Sequence, residues 1–437
     1  MALTKASTPH IAHIIDPVFY NGSSANSPNG RVEFRLQPGT AYFSDLRLID
    51  VAITSATPTD YNGLLGSESP IKSISIMDGG VTLEALNRAQ YLRAWQALQS
   101  NNDANVSIAR HTSQNSLGYI VQGKLDMSEG TYGEKQDAQI LDEINNTVNS
   151  AADAYKAWIS LRDLFPFLAA NPIIPTNIYK DFRVVVQFST PTEMKTLVAN
   201  NALNDLATFR PLLLAEEMTN SELKVASMTQ YQGVKWNSWE HDSFRLDALA
   251  NPPDTTDATA IGDQVSVTRK LRAFTGKYLQ EMVIQVTPTN VNTWSNGGTN
   301  DLFSKYGSVS LYRPSFNVRI NGANKIPREG LIGKNRRLAV CADTLGQWNV
   351  PSFQVYTSQV YPDNGITGRL LTTLGDADFT ALDIEDYCED VQLTVRRTPA
   401  HDQTKTNQAV DVQVWGNVSK AVVVGKDGAY AIVNTKE

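Results

Sequence analysis

Short runs in which apolar and polar residues alternate, each closed by a turn rich in glycine or asparagine, constrain this chain more than any other feature. In RVEFRLQ (31–37), Val32, Phe34 and Leu36 share one face, and Arg31, Glu33, Arg35 and Gln37 share the other. That is the period-2 pattern of a half-buried strand. LRLIDVAIT (46–54) gives a second strand after the turn residues Pro38 and Gly39. In SISIMDGGVTL, Asp78-Gly79-Gly80 separates two apolar runs, where glycine supplies the positive φ of a tight hairpin. The pattern returns late in the chain: Phe316, Val318 and Ile320 alternate into an Asn321-Gly322 turn. VDVQVWGNV (410–418) alternates into Trp415 and resembles DFRVVVQFST earlier on, and AVVVGKDGAYAIV closes as a hairpin at Asp427-Gly428. Many short strands with regular turns predict β-sandwiches.

A chain of 437 residues exceeds one ordinary domain, and two units of about 200 residues each are expected. The recurrence of the hairpin and of the closing strand predicts two similar sandwiches with long insertions. Helices are expected among the insertions. One begins near Thr82, with Tyr91, Trp95 and Leu98 on one face, and a longer one carries Ile140, Ile144, Val148, Tyr155 and Ile159. Thr190-Pro191-Thr192-Glu193 reads as a capping box opening a helix to about Asn200, which places the boundary between the halves around 190–205. Stretches 100–118, 286–304 and 361–376, rich in Asn, Gly and Ser, are expected as exposed loops.

Composition narrows the function classes. Hydrophobic content of 41% with 19% charged residues is that of a globular protein. A net charge of −7 disfavours a nucleic-acid-wrapping role, which needs a basic face to displace counterions. The basic groups Lys334, Arg336, Arg337 and Arg396, Arg397 are expected as solvated edge charges. Two cysteines, Cys341 and Cys388, exclude a disulfide framework and favour a reducing compartment, with both thiols buried. MALTKASTPHIAHIID has no apolar core for a signal peptide, and no apolar run approaches the ~20 residues of a membrane helix. Assembly inside a cell is therefore expected, and the sequons at Asn21, Asn105, Asn145 and Asn417 carry no weight without a secretory route.

Few residues are patterned for catalysis. His10 and His13 lack companion ligands. Asp383, Glu385, Asp386, Glu389 and Asp390 lack the glycine-turned loop of a calcium site and are expected as an acidic surface. GLIGKNRR and FTGKYL miss the phosphate-loop spacing, and no G-x-S-x-G elbow occurs. No cofactor and no metal are expected, and the chain is not read as an enzyme. VKWNSWEHD places Trp236 and Trp239 beside His241, where they can stack a sugar or pack a loop or a subunit contact.

WISLRDLFPFLAANPIIPTNIYKDFRVVVQF (158–188) runs from an expected helix through an apolar, proline-bearing loop into a β-branched strand. Its LRDLFPFL and IPTNIYKDFRVVVQF segments, with SISIMDGGVTLEALNRAQYLRAWQALQSNN before them, resemble the first jelly roll of double jelly-roll major capsid proteins of the polinton-like virus, virophage and adintovirus type. The resemblance covers about residues 30–190, and the second half matches in general pattern only. It implies two tandem eight-stranded jelly-roll β-sandwiches: an N-terminal arm at 1–16, a first jelly roll with helical insertions at 17–195 and a second at 196–437. It implies a homotrimer forming a pseudo-hexameric capsomer in an icosahedral virion shell. Neighbouring capsomers, penton and minor capsid proteins are the implied partners, with an internal membrane beneath the shell as a further one. No direct nucleic-acid binding is implied. Phe165, Pro166, Phe167, Ile173 and Ile174 would be costly if wet, so they are expected, with Trp236 and Trp239, in an interface or in loop packing. The competing readings are a carbohydrate-binding or carbohydrate-active sandwich resting on the two tryptophans and on carboxylates that could pair in space for glycoside hydrolysis, and a trimeric fibre or receptor-binding protein, for which no shaft repeat is found.

Overall fold

The computed structural model describes residues 8–19, 30–53, 71–88, 92, 155–188, 211–250, 262–288, 315–325, 380–399, 409–425 and 428–435. In chain order the first half contains β1 (His10–Ile15), β2 (Val18–Phe19), β3 (Arg31–Arg35), β4 (Ala41–Phe43), β5 (Arg47–Ile53), β6 (Ile71–Asp78) and β7 (Val81–Asn87). It continues with β8 (Tyr155–Ser160), the short helices α1 (Leu161–Leu164) and α2 (Pro166–Ala170), β9 (Ile173–Pro175), β10 (Phe182–Phe188) and β11 (Leu212–Met218). Helix α3 (Ser221–Thr229) leads to β12 (Gly233–Leu246), β13 (Val265–Lys270), β14 (Lys277–Pro288), β15 (Ser315–Ile320) and β16 (Ala323–Asn324). The chain ends with β17 (Thr380–Cys388), β18 (Val391–Arg397), β19 (Val410–Val424) and β20 (Tyr430–Asn434).

The strands form two sandwiches with one connectivity. In the first, the third strand is broken into β4 and β5 and the sixth into β8 and β9, because β11 pairs with both β4 and β5, while β9 and β8 pair with those in turn. Numbered by position, its sheets run 1-8-3-6 (β1, β11, β4/β5, β9/β8) and 2-7-4-5 (β3, β10, β6, β7), with β2 added at an edge. The second repeats both orders: β12, β19, β14, β17 and β13, β18, β15, β16, with β20 added to β19. These are the two four-stranded sheets of a jelly roll.

The alternation read in the sequence explains the packing. Val32 and Phe34 of β3, Ile74 and Ile76 of β6 and Val184 and Val186 of β10 are cross-strand neighbours, all buried in the first core. Phe316, Val318 and Ile320 neighbour Val395, Leu393 and Val391 across the β15–β18 ladder, all buried in the second core. The predicted turns at Gly79 and at Asn321-Gly322 form, while Asp427 of the third lies outside the described residues. Gly79 has φ 58° between β6 and β7, and Asn321 (φ 50°) and Gly322 (φ 85°) join β15 to β16, the left-handed pair that a two-residue hairpin favours. Asn321 also clamps the next turn, donating to the Tyr387 carbonyl (2.7 Å) and accepting the Glu389 amide (2.8 Å).

Several expectations change. The helix expected from near Thr82 starts as strand β7, because residues 81–87 pair antiparallel with β6. Tyr155 and Ile159 lie in β8, paired with β5, rather than on a helix; Ile140, Ile144, Val148 and the capping box at Thr190 fall outside the described residues. Residues 286–288 belong to β14 rather than to a loop. Glu33, on the outward face of β3, is nonetheless buried, held by Arg35 (2.6 Å) and Arg183 (3.1 Å). Arg397 is buried too, not a solvated charge; its guanidinium donates to the Asp247 carbonyl (3.2 Å), and burial pushes its pKa down to about 10. The counterpart of β10 is β18, at the same seventh position, and not the 410–418 strand. The eighth strand of the first sandwich is β11, and β1 within the expected arm is its first.

Glu217 of β11 fastens the entry and exit of this sandwich. It accepts from His13 of β1 (3.0 Å), from Lys224 of α3 (2.8 Å) and from Thr40. Burial raises its pKa, but Lys224, Thr40 and His13 outweigh that and hold it below the usual carboxylate value. This support is present above the ordinary glutamate pKa and is lost as pH falls through the lowered value. Acidification should therefore expose the amides of residues 10–15 ahead of the core strands, read by hydrogen exchange corrected for intrinsic rates. At the start of β12, Gly233 has φ 106°, and a Cβ there would overlap the Val422 carbonyl oxygen. Gly233→Ala should lower stability by about 2 kcal/mol or more in urea unfolding. Gly80→Ala, with nothing within 4 Å of the added carbon, should stay within about 0.5 kcal/mol.

Candidate functional site: the seam between the sandwiches

The thirty-residue stretch that stood out in the sequence builds the contact between the two halves. Ser160 ends β8 and caps α1 with its hydroxyl on the Asp163 amide (3.4 Å). Pro166 opens α2, a position where its missing N–H costs nothing. The two short helices thereby drive Leu161, Leu164, Phe165, Phe167 and Leu168 inward, all buried. Ile174 in β9 is buried beside them and Ile173 is half-buried, both paired with β4.

Phe167 packs its ring edge-on against Trp236 of β12, with centroids 5.1 Å apart, and against Tyr179 at 5.9 Å. Tyr179 then meets Tyr231 (5.9 Å) and Tyr430 of β20 (5.1 Å). Edge-on pairs of this kind add roughly 0.5–1.5 kcal/mol each beyond the burial of their area. Most polar tips are satisfied across the seam, the buried Trp236 Nε1 being without a partner among the described residues. The Tyr179 and Tyr231 hydroxyls are 2.8 Å apart, Tyr430 donates to Asp78 (2.8 Å), and Trp415 Nε1 donates to the Asn87 carbonyl (3.0 Å). Burial pushes the Tyr231 phenol up to about 12 and those of Tyr179 and Tyr430 also upward, so all three keep their protons. One hydrophobic cluster contains Phe165, Phe167, Ile174, Trp236, Trp239, Val283, Trp415 and Val422 together with the first sandwich's own core.

Charged groups line the same seam. Glu84 of β7 is buried, and its carboxyl accepts the Phe167 amide (2.8 Å). Burial pushes its pKa up to about 8, although the Phe167 amide, Lys420 and Ser238 oppose the shift. Glu240 of β12 is held by Lys420 and, at 3.5 Å, by Lys277. Burial raises its pKa, but these two cations outweigh that and keep it ionised. His241 hydrogen-bonds Gln413 (2.8 Å) beside Trp415, and burial lowers its pKa.

Of the sequence candidates, Phe165, Phe167, Ile174, Trp236 and Trp239 converge in this one cluster, whereas Ile173, half-buried and next to Ile174 on β9, points to the opposite face. Trp236 and Trp239 are only 4% and 6% exposed. Their odd spacing on a strand without a register shift puts them on opposite faces. They therefore offer no shared platform for stacking a sugar. Tyr179, Trp415, Tyr430 and Glu84 were not singled out from the sequence. The signal for Glu84 is an acidic residue inside an otherwise apolar run, VTLEAL. The other candidates disperse. His10 packs on Phe43, His13 binds Glu217, Asp386 pairs with Lys325 (3.1 Å) and Asp390 with Lys270 (2.6 Å). Cys388 is buried and free, with its thiol pushed up to about 11 by burial. Cys341 and the segment 330–337 lie outside the described residues. Among the described residues no group of three or more His, Cys, Asp or Glu side chains could hold a metal ion, and no helix is long and apolar enough to cross a membrane.

Comparison with protein-family models and with curated proteins yields no match. Solved structures do match. The chain is similar to PBCV-1 VP54, as fitted into a cryo-EM reconstruction of the virophage Sputnik, at 9% identity and a TM-score of 0.53, covering 100% of this chain and 99% of that one. Against the quasi-atomic model of the PBCV-1 virus capsid, the identity is 8% and the TM-score 0.51, with the same coverage. The fold is a double jelly roll. In this double jelly roll the aromatic seam is the packing that joins the two sandwiches. Trp239→Ala should cost about 3–5 kcal/mol in urea unfolding, a loss that a solvent-exposed sugar platform would not show. Phe165→Asp should prevent folding, because it buries an unpaired charge; recovery of soluble, cooperatively unfolding protein would contradict this placement.

Proposed function

We propose that this chain is the major structural subunit of an icosahedral viral capsid, and that three copies associate into a pseudo-hexameric capsomer. The observation that carries this reading is the exact repetition of jelly-roll strand order in two sandwiches fixed side by side within one polypeptide. Three such pairs present six similar sandwiches around a closed ring, which lets a three-fold assembly occupy a six-fold position. The likeness in fold to the PBCV-1 capsid supports the same role. We place the first unit at β1 to β11 and the second at β12 to β20, with α3 as the link between them. The partners of the capsomer are its neighbours in the shell, penton and minor capsid proteins, and a membrane where one lies beneath. The net charge of −7 suits a shell wall that does not itself bind the genome.

The carbohydrate reading loses its aromatic platform with the burial of Trp236 and Trp239, and no specific observation favours a fibre protein. Mass photometry of the purified protein should give a species of about three times 48.0 kDa, and negative-stain images of it should show hexagonal blocks. A stable monomer at micromolar concentration, with no larger assembly, would overturn the proposal.

A further inference from the structure

Glu84 differs from Glu33, which is also buried, and from the half-buried Glu240. Glu33 and Glu240 each have two cations bound to them. Glu84 has a single protein hydrogen bond, from the Phe167 amide to Oε2, while Oε1 has no protein partner among the described residues. The Ser238 hydroxyl of β12 is close by, yet it too lacks a hydrogen bond of normal geometry. Its position explains the isolation. Glu84 pairs with Ile76 across the ladder, so it shares a face with Ile76 and Leu86 and points into the first core from the edge strand. The open side of that core is covered by α2 and by β12, and the carboxyl is caught where the three meet.

We propose that the Glu84 carboxyl is a proton-operated latch of the seam: with its proton, β7, α2 and β12 close on one another, and without it they part. The charged groups facing it are Lys420 of β19 and Glu240 of β12. Lys277 of β14 stands behind Glu240. Helix α2 contributes no ionisable side chain, and Ile76 of β6 is apolar. Lys420 is already engaged by Glu240, so an ionised Glu84 would compete for it and leave the half-buried Glu240 undercompensated. Protonated, the carboxyl can accept the Phe167 amide on one oxygen and donate to Ser238 from the other.

The direction follows from the raised pKa. A group at about 8 in the closed seam and at the ordinary value of 4.5 when open imposes no penalty below the lower value. The penalty grows through the window between them and is complete above the upper one. His241 has a lowered pKa and gives the opposite slope, so the sign of the effect separates the two.

The latch is independent of the shell reading and is tested on the full chain by hydrogen exchange at pH 6 to 9, corrected for intrinsic rates. Protection of residues 161–170 and 233–240 should fall by up to tenfold per pH unit from 6 to 8 and level off above. The β13–β18 ladder, remote from Glu84, should show no such fall. Glu84→Gln, which stays neutral at every pH, should flatten the seam profile. A flat or rising wild-type profile, or a Glu84→Gln profile with the wild-type slope, overturns the proposal. Should the variant fail to fold, the wild-type profile above pH 7 decides alone.

Discussion

The architecture depends on how the open side of the first sandwich is closed. A jelly roll leaves a gap between its two sheets along the edge strands, and here β7 borders that gap. Helix α2 enters from within the same sandwich, and β12, β19 and β20 of the second cover it from outside, so Trp236, Trp415 and Val422 belong to a core they do not share a sandwich with. Each large apolar side chain removed from water contributes about 1.5–3 kcal/mol. The second sandwich keeps a separate core of its own, around Phe316, Met282 and Val414. Among the described residues the second sandwich thus has a cluster of its own, whereas the first shares its cluster with Trp236, Val283, Trp415 and Val422 of the second.

Charge placement follows the same geometry. Where an acid is buried on the outer face of a sheet, as Glu33 is, arginines from neighbouring positions reach over it. At the rim of the second sandwich, Glu240 takes its cations from β14 and β19. The seam between halves is made largely of aromatic rings, with the Tyr179, Tyr231 and Tyr430 hydroxyls and the Trp415 indole paired, a setting in which an uncompensated charge is costly. Glu84 is the exception, and its environment makes the neutral acid the stable form.

Much of the framework was legible from the chain alone. Val32, Phe34, Ile74, Ile76, Phe316 and Val318 announced their inward faces by alternation, and Gly79 and Asn321-Gly322 announced their turns, because both signals depend on neighbours within a few residues. The segment around Phe165 and Phe167 was recognisable as apolar and destined for burial. What covers it was not. Tyr155 and Ile159 carry a spacing compatible with a helix, and only pairing with β5 makes them a strand. Strand β10 has the look of a closing strand, yet the sandwich is completed by β11, over twenty residues later in sequence. Nothing local distinguishes a seventh strand from an eighth.

The sequence by itself determined the class of structure: β-rich, twice repeated in kind, with an apolar insertion at its middle and no patterned reaction centre. Those properties reside in the order of side chains along one strand or one turn. Only the tertiary structure decided that Trp236 and Trp239 are walls of a core on opposite faces of β12, that Arg397 is buried, and that Glu84 meets Phe167 and Ser238 in one place. Each of these is a contact between residues far apart in the chain. Its energy depends on what else is excluded from the space between them, and that is known only once every surrounding element is in position.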